Sequence, residues 1–151
     1  MTNEFYNDPM RNFLREIEVL PLYAVLFYTM GLPGFSKIFH HEMVLPKYVG
    51  MFENTLIGSF PGVSPAIYLL GLMEIGVPIL ILISAARLEF LSAKPKLWLE
   101  AALILTLATF AALGFGLRLI QNNDGAASLY FYFGATLVAL IWVRMLGTQT
   151  K

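Results

Sequence analysis

The chain contains no cysteine. That excludes disulfides, thiolate-held zinc, iron–sulfur centres and thiol catalysis. Charge is scarce too: 13% of the 151 residues are Asp, Glu, Lys or Arg, against roughly a quarter in a soluble domain. Ten acidic and ten basic residues cancel, and no basic patch offers itself to nucleic acid. The only histidines are His40 and His41, followed by Glu42. Adjacent side chains diverge on a helix and no further ligand is at hand, so this trio reads as an exposed interface turn and no metal site is expected. There is no nucleophile–base triad, glycine-rich phosphate loop or pair of catalytic carboxylates. What is abundant is apolar mass: 58% of the residues are hydrophobic and mean hydropathy is +0.69. A single small core cannot hide that much, and the composition points to a membrane protein.

Four runs are long enough to cross a hydrocarbon core of about 30 Å, which takes roughly 20 residues in a helix. They lie near 17–39, 65–86, 97–119 and 126–146. None alternates as barrel strands do. The first carries Pro21, Gly31, Pro33 and Gly34, so its outer end is expected to bend. Before the second, Ser64 reads as an N-cap and Pro65 as the first helical residue. The expected fold is a single all-α membrane domain over 1–151, an antiparallel bundle of four transmembrane helices. Ahead of it, Asp8-Pro9 starts a helix with Met10, Phe13, Leu14 and Ile17 on one face and Arg11 and Arg15 on another, an interfacial lead-in. Acidic residues at Glu4, Asp8, Glu16 and Glu18 are wrong for a cleaved leader.

Basic residues set the orientation. Arg11, Arg15, Arg87, Lys94, Lys96, Arg144 and Lys151 fall on one side of the four spans, and Lys37, Lys47 and Arg118 on the other. Positive-inside bias places both termini in the cytoplasm of a bacterial-type inner membrane. The first outer loop, 40–64, is too apolar for a solvated connection. Tyr48, Met51, Phe52 and Leu56 fit one face of a short amphipathic helix begun after Pro46, either capping the bundle or resting beside it in the headgroups.

Charge inside a bilayer is rare, so each instance is a hypothesis about function. Glu74 stands nine residues into the second span, about 13.5 Å deep. It must face inward, and Gly71 and Pro78 leave room on its face. Lys37 and Arg118 end the first and third spans on the same side, with stems long enough to reach in. A cluster of Glu74, Lys37 and Arg118 is therefore expected, with Tyr23 and Thr109 as neutral partners. It can be an ion pair fixing helix register, or a binding or proton-handling site. Glu100 lies too far from Arg118 to pair with it and reads, like Glu18, as a solvated interface residue. Ala108, Ala112 and Gly116 form a small-residue stripe for helix packing. Tyr130, Phe131, Tyr132 and Phe133 mark one interface, Trp98 and Trp142 the other. No cofactor is evident, although such aromatics are also what a quinone pocket uses.

The first span closes Gly34-Phe35-Ser36-Lys37 before Ile38 and Phe39, and the second contains Gly71-Leu72-Met73-Glu74-Ile75-Gly76. Over about residues 22 to 84 this resembles the DoxX-like family of small four-helix membrane proteins, whose first helix commonly ends Gly-x-x-Lys-hydrophobic and whose second carries a glutamate flanked by hydrophobics and glycine. Tyr23 stands where members commonly have arginine, and the third span reads Thr106-Leu107-Ala108-Thr109-Phe110 where many carry a histidine or other polar group. The resemblance implies association with membrane redox systems, since relatives include the small subunit of a thiosulfate:quinone oxidoreductase, or with assembly factors. Three functions are thus in play. The first is a non-catalytic accessory subunit of a larger redox complex, with the bilayer and other membrane subunits or its own copies as partners. The others are a quinone- or lipid-binding component at a Glu74 pocket, and a small-solute or proton transporter.

Overall fold

The structure, a computed structural model, describes residues 17–91 and 94–148, and of 147–148 the backbone alone. The proposed interfacial helix before residue 17 lies outside the described residues. These are predominantly helical, with no strand among them. In chain order the helices are α1 (Leu20–Phe39), α2 (His41–Phe52), α3 (Leu56–Ser59), α4 (Val63–Ala86), α5 (Leu97–Leu119) and α6 (Asn123–Thr148). Four of them, α1, α4, α5 and α6, are long and apolar enough to cross a membrane.

The core shows how they run. One cluster joins Val19, Tyr23, Leu26 and Met30 at the start of α1 to Val77 and Ile81 late in α4, Leu99, Ala102 and Leu103 at the start of α5, and Leu140 and Val143 late in α6. Starts meet ends, so successive spans are antiparallel. Helix α1 packs on α4, α4 on α5, and α5 on α6. At the opposite end a smaller cluster of Phe52, Val63 and Ile67 gathers Leu45, Tyr48, Ile57 and Ile120 around it. That cluster fastens α2 and α3 over the bundle.

Two span ends share one closure. After α4, Leu88 adopts φ 57° and the Glu89 N–H reaches back to the Ser84 carbonyl at 3.0 Å. After α5, Gln121 adopts φ 57° and the Asn122 N–H reaches the Leu117 carbonyl at 2.9 Å. Each is a Schellman stop, built here on a side-chain-bearing residue where glycine is usual.

Helix α1 runs through Pro33 without a break. Several sequence expectations need correction. Helix α4 begins two residues early, at Val63, capped by Gly62 at φ 100° with no side-chain cap, so Ser64 is free for another role. Helix α2 begins at His41 and contains Pro46. Its packed face is Leu45, Tyr48 and Phe52, whereas Met51 and Leu56 are exposed. In the small-residue stripe, Ala108 and Ala112 are exposed. Only Gly116 packs inward, its Cα facing the Phe52 ring. The spacing identified a face of α5, but the neighbour that face would need is absent from the described fold. A close helix approach lies instead between α1 and α4, at Gly34 and Gly71.

Candidate functional site

Lys37, in the last turn of α1, meets Glu74, midway along α4. Its Nζ donates to both carboxylate oxygens, at 2.8 Å to Oε1 and 2.6 Å to Oε2. The residues are 4% and 2% exposed, respectively. The local sequence explains the proximity. Lys37 follows Gly34 by three residues and Glu74 follows Gly71 by three, so in each helix glycine and charge share a face. The faces interlock reciprocally. A Cβ on Gly34 would stand 2.8 Å from the Glu74 Cβ, and one on Gly71 would stand 2.9 Å from the Lys37 Cβ. Each glycine admits the stem of the other helix's charged residue, and the charges then face each other. A lone charge there would be strongly disfavoured, whereas a two-oxygen contact offsets the desolvation of both groups.

Two groups from α2 frame the pair. His41 is buried. Its Nδ1 lies 3.1 Å from the Lys37 carbonyl oxygen, which can only accept, so Nδ1 carries a proton, and its Nε2 shares a hydrogen bond with the Ser64 hydroxyl at 3.0 Å. The ring stacks on Tyr68 with centroids 3.8 Å apart. The expectation of an exposed histidine turn therefore fails for His41, which ties α1, α2 and α4 together. Tyr48 lies within the electrostatic reach of Glu74; burial pushes its phenol above the usual 10.0, and the Glu74 carboxylate adds to the rise.

The other expected partners are elsewhere. Arg118 is exposed and donates to Asn123 Oδ1 across the turn into α6. At the mouth of the bundle that local acceptor and solvent serve the guanidinium better than burial does. Thr109 donates to the Leu105 carbonyl of its own helix at 2.8 Å. Tyr23 joins a second network near the far end of α4. Its hydroxyl donates to Ser84 Oγ at 2.6 Å, and Ser84 donates in turn to Glu89 Oε2 at 2.7 Å. Glu100, expected to be solvated, forms a partly exposed ion pair with Arg144 at 3.1 Å.

Glu89 is the residue that sequence reasoning missed. It lies in the α4–α5 loop, yet is only 4% exposed. Its carboxylate accepts the backbone N–H groups of Trp98, at 3.0 Å, and Leu99, at 3.1 Å. It thus caps the positive end of α5 from nine residues upstream. The Lys96 ammonium donates to the Glu89 carbonyl at 2.7 Å and the Leu91 carbonyl at 3.2 Å. Burial lowers the Lys96 pKa, with nearby Glu18 and Glu89 opposing that shift. The capping signals legible in a sequence act within one turn, so a cap that arrives around a loop leaves no local pattern.

Beside the pair, a cleft of about 620 Å³ opens between α2, α4, α5 and α6. Tyr48, Phe52, Met73 and Tyr132 line it, while Lys37 and Glu74 do not. Among the described residues no group of three His, Asp or Glu side chains could hold a metal ion. No family model, curated protein or solved structure matches the chain.

Proposed function

We propose that the chain is an accessory or structural subunit of a larger redox complex in a bacterial-type inner membrane, as the DoxX-like resemblance implies. The Lys37–Glu74 contact carries this reading. Both carboxylate oxygens are engaged by one ammonium, and both side chains are sealed from the surface. The pair's polar capacity is used within the fold, to hold α1 against α4. The outward faces are broad and apolar, with Leu69, Leu72, Phe131 and Val138 all more than 60% exposed. Such faces suit lipid and neighbouring subunits. Quinone binding at a Glu74 pocket is less well supported, because the cleft beside Glu74 is not lined by it.

The test is co-purification of the full chain in mild detergent. A stoichiometric membrane partner, lost when the exposed faces are substituted, is the expected result. A lone homo-oligomer with a hydrated Glu74 would favour transport instead. Bound quinone released by Glu74→Gln would favour the quinone reading. Either result overturns the accessory role.

A further inference from the structure

The cleft has a depth that can be read along its walls. On α4 its lining runs from Val63 to Met73, ten residues at about 1.5 Å each, or about 15 Å. That is half of a hydrocarbon core of about 30 Å, the depth of one leaflet. The α5 wall lies at the same end, from Ala112 to Ile120, and α2 and α3 contribute the roof. The opening is lateral: Leu69, Phe115 and Tyr132 on its walls are 62%, 54% and 52% exposed. With α4, α5 and α6 as membrane spans, the cleft would face hydrocarbon, beneath α2 and α3 at the bundle end.

Its size and charge discriminate between occupants. A volume of about 620 Å³ falls within the range of roughly 300–1,000 Å³ typical of small-ligand sites. The lining contains one charged residue, Lys47, on the exposed side of α2, and no acid. A lysine stem lies along apolar surface while its ammonium reaches the interface. A neutral ring headgroup gains little from that ammonium, whereas a phosphate gains directly.

We propose that the cleft seats one acyl chain of an anionic phospholipid from that leaflet, with the lipid phosphate on Lys47. The chain fills the apolar wall between α4 and α5, and the headgroup rests against α2. The bound lipid thereby completes the surface that this end of the bundle presents.

The experiment uses the full chain reconstituted with equal amounts of phosphatidylglycerol and phosphatidylcholine of matched chains. Retained lipid is counted by native mass spectrometry after release from detergent. One phosphatidylglycerol per chain is expected, favoured over phosphatidylcholine by about fivefold, the worth of one basic residue at an anionic surface. Lys47→Gln should bring the ratio to one without loss of helical circular dichroism. Ala112→Trp places an indole in the cleft from an exposed position and should abolish retention of either lipid; Ser128→Trp repeats the test from the α6 wall. Equal retention of both lipids by the unsubstituted chain overturns the proposal. So does undiminished retention in both tryptophan variants, or a quinone retained in place of the phospholipid.

Discussion

A lysine and a glutamate held at 2.6 Å with almost no exposure are costly to separate and cheap to replace together. Removing one leaves the other buried without a partner, typically about 3–5 kcal/mol worse. Lys37→Met and Glu74→Leu should each cause that order of loss. The double variant should recover most of it, as thermal unfolding in detergent would show; additive losses would mean the contact is not the coupling. Tyr48 supplies a pH-dependent counterpart. Its phenol is held above 10.0 in the folded chain by burial and then by Glu74, so the folded state binds that proton more tightly than the unfolded one. The resulting stability is fully present below pH 10.0 and is lost as pH rises through the folded pKa. Tyr48→Phe should flatten that alkaline loss, read as unfolding midpoints compared at neutral and alkaline pH. At this scale the sequence was partly legible. Glu74 and Lys37 stood out because charge within an apolar run needs a partner. Arg118 was equally eligible by reach, and only the turn that places Asn123 beside it removes it. Glu89 and His41 could not be identified, because their burial depends on α5 and α4 arriving from elsewhere in the chain.

The spans were legible as elements because a window of about 20 apolar residues is a statement about composition alone. Their neighbours were not, and the small residues show why. Ala108 and Ala112 have the spacing of a packing stripe and yet are exposed, whereas Gly34 and Gly71 make a close crossing in pairs with charged residues three positions on. Periodicity names a face; topology decides what it meets. Glycines therefore differ sharply in what they tolerate. Gly34→Ala would bring a methyl within 2.9 Å of the Ile75 backbone nitrogen, an atom that moves only with α4. A loss of about 1–3 kcal/mol or more is expected. At Gly50 on α2 nothing lies within 4 Å, and alanine should stabilise that helix by up to about 1 kcal/mol. Parallel unfolding curves of the two variants check the contrast, and equal effects would contradict the crossing.

For the molecule as a whole, antiparallel order follows from starts meeting ends in one core, but which end faces the cytoplasm rests on the basic residues. Because the native chain has no cysteine, single thiols report sidedness cleanly. Asn54→Cys, beyond α2, should label only from the outside, and Lys94→Cys, in the α4–α5 loop, only from the cytoplasm. The reverse pattern would invert the assignment. Whatever the sidedness, the interlock of Gly34, Lys37, Gly71 and Glu74 favours one order of events during biogenesis. Lys37 leaves the ribosome with α1, and Glu74 follows only after α2, α3 and half of α4. A charge left alone at the bilayer centre costs about 2.5–3.5 kcal/mol by insertion scales, so neither helix reaches its final depth cheaply without the other. The ammonium is expected to stay at the interface on its long stem until the carboxylate comes alongside. The first two spans are therefore expected to enter the membrane together, with the second two added afterwards.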